Sequence, residues 1–291
     1  MIGCHKLFLM ENLHPAVKVE RFGELDQDPD YVFICPHDGD PVAFWNERGS
    51  ELSGFLDPVD AGTFLKYLEI ERDSGAADLM RSVASLLAKR GVSVDTLSFE
   101  LPRGIIDANR TKISDAFYGI WGERAYDDSD FTAFREEMRV AHSEFIEAVR
   151  GYLERGFPAV DWHTMGPYSG ARIPGGLAAY VEGFNRSKPG IVIDSIVAER
   201  PAVPNADLCR AITGKLRPEA IAENDPYGRG IQITATWRYM RDFPGQMVCF
   251  DVPKAVLKNG GRQELSTLFA GGILDHFRPH NSAHPGASLH S

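Results

Sequence analysis

The chain has 291 residues, 43% of them hydrophobic and 25% charged, with 41 acidic against 31 basic side chains for a net charge of −10. That is an ordinary globular composition, with room for one large α/β domain or two smaller ones. It speaks against nucleic acid or an anionic membrane as the main partner, and no apolar run approaches the ~18 residues of a membrane-spanning helix.

The opening stretch MIGCHKLFLMENLHP (1–15) carries a short apolar run without a basic leader. It is expected to be an ordinary element and not a signal peptide. Strand patterns follow at YVFICP (31–36), VDTLSFEL (94–101), FPAVDWH (157–163), GIVIDSIVA (190–198), GIQITATW (230–237) and GQMVCFDV (245–252). Several are continuous apolar runs that end in polar residues, the pattern of strands covered on both faces.

Helical patterns fill the gaps. DAGTFLKYLEIERDSGAADLMRSVASLLAKRG holds two helices broken near Ser74 and Gly75, with Gly91 as a stop. In SDFTAFREEMRVAHSEFIEAVRGYLERG, Ser129 is the expected cap. Phe131, Phe134, Met138, His142, Phe145, Val149, Tyr152 and Leu153 keep helical spacing, and Gly156 ends the helix. NADLCRAITGKL and QELSTLFAGGILDHF supply two more helices. Strands alternating with helices imply a single α/β domain over residues 1–277, with a mixed, mostly parallel sheet flanked by helices. The polar tail 278–291 is expected to be poorly ordered. The four cysteines, Cys4, Cys35, Cys209 and Cys249, form no CxxC pair and suit the reduced thiols of a cytoplasmic protein.

Three groups of residues carry possible chemistry. His37 and Asp40 stand three apart around Gly39, just after the first strand. Imidazole and carboxylate are zinc ligands, and a catalytic zinc takes three protein ligands plus water; a solvated turn explains the same residues. His163 ends another apolar strand, with Asp161 two positions earlier on the same side. It suits a third ligand with an orienting carboxylate, or a hydrogen-bonded core histidine. LPRGIIDANR (101–110) offers Arg103, Asp107, Asn109 and Arg110. Arginine grips a carboxylate through two parallel hydrogen bonds, and a surface Arg–Asp pair is the plainer reading. There is no GxSxG elbow, no GxxxxGK(S/T) phosphate loop and no HExxH helix. Gly-rich GPYSGARIPGG (166–176) lacks the spacing of a dinucleotide fingerprint and is expected to be a loop beside His163.

Taken together, His-x-x-Asp, then Arg-x-x-x-Asp-x-Asn-Arg, then Asp-x-His-Thr resembles the N-formylglutamate amidohydrolase family, a distant relative of the zinc carboxypeptidases and of the aspartoacylase and succinylglutamate desuccinylase enzymes. CPHDGD is similar to the family's PHSG start, PRGIIDANR to SRyvvDlNR, VDWHTM to lDlHSm, and NDPYGRG (224–230) to N-x-PY-x-GG. The resemblance spans roughly residues 30 to 255. It implies a carboxypeptidase-like fold and hydrolysis of the amide of a small anionic N-acyl amino acid. It also implies one Zn²⁺, or another divalent ion, on His37, Asp40 and His163. Asn109 and Arg110, with Arg103 as a further contact, would hold the substrate carboxylate. MVCFDVPKAVL is similar to iqiEinraLY, which puts Asp251 where the family has the glutamate that activates water; Glu199 is a second candidate for that role. Asp251 is one methylene shorter than the expected residue, Thr164 replaces a serine, and Pro253-Lys254 replaces Asn-Arg. A non-catalytic relative that binds a small carboxylate in the same pocket is the alternative.

Overall fold

Uninterrupted apolar strands are stable only where both faces of a sheet are covered, and the computed structural model of this chain has that arrangement. It describes residues 13–52, 61–112, 116, 132–165, 181–182, 196–199, 205–216, 221–222, 234–258 and 260–281. The described strands are β1 (Val17–Phe22), β2 (Tyr31–Cys35), β3 (Val94–Phe99), β4 (Ala159–Met165), β5 (Ile196–Glu199), β6 (Ile221–Ala222) and β7 (Met247–Pro253). They form one sheet in the order β1-β3-β2-β4-β7-β5-β6. The central four, β3, β2, β4 and β7, are parallel; β1 and β5 run antiparallel to their neighbours β3 and β7.

The described helices are α1 (Pro41–Leu52), α2 (Ala61–Glu71), α3 (Ala76–Ala88), α4 (Thr132–Glu154), α5 (Ala206–Thr213), α6 (Ala235–Asp242) and α7 (Gly261–Asn281). Strand alternation sorts the core into two layers. Val32, Ile34, Leu97, Phe99 and Cys249 face the layer that holds α1, α2, α4 and α6. Phe33, Val160, Trp162 and Phe250 face α3, α5 and α7. In that second layer Trp162 and Phe269 meet edge to face at 4.8 Å, and Phe250 and Phe269 at 5.2 Å, which fastens α7 to the sheet. The helices α7 and α5 cross so closely at Gly272 that a Cβ there would lie 2.4 Å from the Ile212 Cα.

The α/β class, the mostly parallel sheet and the helix pair broken near Gly75 are as expected. Several elements differ. The run at 230–237 reads as a strand from its β-branched alternation. Of its described residues, Thr234 makes only an isolated bridge to Arg110, and Ala235 already begins α6. The Thr234 hydroxyl accepts from the Trp237 N–H, and this cap decides for helix over strand. Residues 278–281 complete α7 and do not belong to a loose tail. The edge strand β1 and helix α1 are additions, since charged residues interrupt both patterns. Ser129, the stretches 166–176 and 224–230, and residues 190–195 lie outside the described residues.

Candidate metal centre

The chain leaves β2 toward β3 on one side while β4 lies on the other. That divergence opens a crevice beyond the carboxyl ends of the strands, where α/β proteins bind ligands. His37 follows β2 by two residues, and His163 is the fifth residue of β4. Their rings meet at 5.0 Å between centroids. Gly39 permits this approach: a Cβ there would sit 2.5 Å from the Glu100 carbonyl oxygen, so only glycine lets the turn lie against the exit of β3.

The carboxylate that joins the two imidazoles is Asp73, from the turn between α2 and α3. Its Oδ2 lies 2.9 Å from His163 Nδ1 and 3.3 Å from His37 Nδ1. All three side chains are buried, and their ligand atoms lie within 4.8 Å of one another. The expected ligand Asp40 stands outside this group. Its Oδ1 accepts the N–H groups of Val42 at 2.8 Å and Ala43 at 3.0 Å, which makes it the N-cap of α1, with a half-exposed side chain. A helix beginning at Pro41 leaves orphan donors that claim the nearest carboxylate. The structure therefore replaces Asp40 with Asp73 in the cluster.

Several contacts fix the turn that carries Asp73. Its N–H donates to the His37 carbonyl at 2.8 Å. Asp38 accepts from Arg72 Nε at 2.7 Å and from the N–H groups of Gly75 and Ala77 at 3.2 and 2.9 Å. The Thr164 hydroxyl donates to the Ser74 carbonyl, and the Lys254 ammonium to that of Arg72. Burial pushes the Lys254 pKa down, against the pull of Asp73. The dipeptide His37-Asp38 thus supplies one imidazole and anchors the acid that meets it.

Each imidazole also has a carboxylate behind it. His37 Nε2 lies 2.7 Å from Asp107 Oδ1, and His163 Nε2 lies 3.2 Å from Asp161 Oδ2, within ion-pair reach but outside hydrogen-bond geometry. Burial would raise Asp107, but Arg103, His37 and Arg110 hold it well below the carboxylate range. Burial would raise Asp73 too, and the two imidazoles outweigh it and hold it low. For His163 burial acts downward, and the Asp161 carboxylate overrides it to raise the pKa well above the imidazole range.

Counting hydrogens tests whether a metal fits. Four ring nitrogens face carboxylate oxygens. Without a metal a protonated His163 supplies an extra N–H, whereas metal ligation requires both rings neutral, with only two N–H groups between them. If the Nε2–H groups face Asp107 and Asp161, both Nδ1 lone pairs point at Asp73. A cation at that point resolves the clash, and two imidazoles plus a carboxylate are a zinc-type donor set with room for further ligands. The residues present fit a divalent ion.

The other candidates fall around this point in order. Arg103 Nε and Arg110 Nη2 lie 3.3 and 3.7 Å from Asp107 Oδ2. The backbone of Asn109 and Arg110 is held at three points, from α4 and from the start of α6. His142 of α4 donates to the Arg110 carbonyl at 2.7 Å, Thr234 bridges Arg110, and Ala235 N–H donates to the Asn109 carbonyl at 2.8 Å. Asp251 is buried on β7 and pairs with His163, so both project from the same face. Glu199 pairs with Cys249 and Val197 with Asp251. Glu199 is therefore two residues, roughly 7 Å, further from the carboxyl edge than Asp251. Its side chain lies outside the described atoms.

Sequence reasoning missed Asp73 and Asp38 as site residues. No spacing rule connects Asp73 to either histidine; the available sign was a carboxylate at a helix break that the α/β topology carries to the strand ends.

No protein-family model matches the sequence, nor does any curated protein. Among solved structures, a gene product of Agrobacterium tumefaciens is 17% identical with a TM-score of 0.59; the match covers 91% of this chain and 96% of that one. The N-formylglutamate amidohydrolase from Ralstonia eutropha JMP134 is 16% identical with a TM-score of 0.56, covering 91% of this chain and 99% of that one. The chain shares its fold with a structure of the enzyme group that its motifs resemble.

Proposed function

We propose that this chain is a metal-dependent amidohydrolase that cleaves the amide of a small anionic N-acyl amino acid. The observation that carries the reading is the meeting of His37, Asp73 and His163 at the strand ends, next to the segment that carries buried Asn109 and Arg110 and partly exposed Arg103. His37, Asp73 and His163 would hold one divalent ion, zinc by donor type. When bound, such an ion supplies Lewis acidity for the amide carbonyl and for water. Arg110 and Asn109, with Arg103 nearby, hold the substrate carboxylate so that its amide lies beside the two imidazoles. Asp251 takes the proton from the attacking water and returns it to the leaving amine. Its shorter side chain asks the substrate to sit closer to β7 than a glutamate would. Cys35, Cys209 and Cys249 are buried thiols, which suits a reducing, cytoplasmic setting. Among the described residues no helix is long and apolar enough to cross a membrane.

The test is release of formate and glutamate from N-formyl-L-glutamate by the Zn²⁺-loaded protein, with Asp251→Asn in parallel. The reading expects turnover by the parent chain, and loss of at least ~100-fold in kcat with zinc retained in the variant. Binding of the compound without turnover at any divalent metal would replace the enzyme with a carboxylate-binding relative.

A further inference from the structure

Thr236 has no part in the chemistry described so far. It is the second residue of α6 and is fully buried. Its Oγ1 lies 2.5 Å from Asp161 Oδ2 and 2.9 Å from Asn109 Oδ1, and its backbone N–H donates to the same Asn109 oxygen at 3.0 Å. One residue therefore touches the carboxylate behind His163 and the amide of the anion-binding segment.

The hydroxyl has a single hydrogen and two acceptors. The backbone N–H already serves the Asn109 oxygen, which fixes that amide with its NH2 group turned the other way. The charged carboxylate is the stronger acceptor for the hydroxyl. Asp161 Oδ1 is buried with no hydrogen-bond partner among the described residues. Asp161 Oδ2, the atom nearest His163 Nε2, is thus aimed by Thr236.

We infer that Thr236 is a positioning residue for the metal site: its hydroxyl orients Asp161, the Asp161 carboxylate holds the His163 ring through their 3.2 Å ion-pair contact at Nε2, and Nδ1 is thereby directed at Asp73. This rests on the metal reading proposed above. The same helical turn ties that alignment to Asn109, so the two halves of the site share one rigid support.

The experiment measures Zn²⁺ dissociation constants by competition with a chromophoric chelator. It compares the full-length protein with Thr236→Val, Thr236→Ser, His163→Ala, Asp161→Asn and the Thr236→Val/Asp161→Asn pair. Thr236→Val is expected to bind Zn²⁺ at least ~10-fold more weakly, in the range seen for groups behind a ligand. Thr236→Ser, which keeps the hydroxyl, should stay within about 3-fold of the parent. Because Thr236 acts through Asp161, the paired variant should be no weaker than Asp161→Asn alone. A lower melting temperature in Thr236→Val with an unchanged dissociation constant would mark a purely structural hydroxyl and overturn the inference. If His163→Ala keeps parental affinity, the metal reading itself is lost. If only Thr236→Val does, Thr236 alone is wrong. Thr236→Ala carries the same comparison should the valine variant not fold.

Discussion

The two imidazoles reach one carboxylate from unequal supports. His37 stands on a turn, and the acid behind it is saturated: Asp107 meets His37 Nε2 and the Asn109 N–H through one oxygen, and Arg103 and Arg110 through the other. His163 stands on a rigid strand, and its acid is sparsely held: Asp161 takes one hydroxyl from Thr236 and leaves its second oxygen without a hydrogen bond. The turn carries the strong electrostatic frame, and the strand carries an acid held by one aimed hydroxyl.

The widest difference should come from removing the two acids. Asp107→Ala leaves two arginines and an imidazole around a buried gap, and breaking one partner of such a network costs about 3–5 kcal/mol. Urea unfolding of the metal-free protein would show it as a large fall in the midpoint. A midpoint within error of the parent would mean that Asp107 is not the frame of the His37 side. Asp161→Asn keeps the shape and removes a charge held by few contacts. It should weaken Zn²⁺ binding about 10- to 100-fold while moving the unfolding midpoint far less than Asp107→Ala does. Equal losses of stability for both variants would erase the asymmetry.

A smaller, pH-resolved effect separates the sides further. Asp107 has a folded-state pKa below its unfolded value, so its stabilisation is present above about pH 4 and is lost as pH falls through the folded value. His163 has the opposite sign. Its folded-state pKa is raised, so its stabilisation is complete below about pH 6.5 and is lost as pH rises through the folded value. Thermal melting of the metal-free protein against pH should therefore decline at both ends, and His163→Gln should flatten the alkaline limb most, touching the acid limb only through the part that Asp73 owes to His163. A flattened acid limb instead would reverse the assignment.

How much of this was legible in the sequence follows from the range of each interaction. β2, β3, β4 and β7 declare themselves as apolar runs because each is buried on both faces, and α3 and α4 because their apolar residues recur at helical spacing. α1 and the start of α6 did not. The first is too polar in PVAFWNERGSEL, and the second hangs on the Thr234 cap after β-branched residues. Both histidines could be read, since each ends or follows an apolar strand at the carboxyl edge. Asp73 could not be read. It lies 36 residues from His37 and 90 from His163, and only the docking of the α2–α3 turn brings it in. Asp40, three residues after His37 in sequence, satisfied the spacing and was taken by a local demand, the cap of α1.

Metal content of the purified protein decides between these two acids most directly. The account predicts about one Zn²⁺ per chain in the parent and in Asp40→Ala, and loss of most of it in Asp73→Ala. Metal retained in Asp73→Ala and lost in Asp40→Ala would contradict the centre described here.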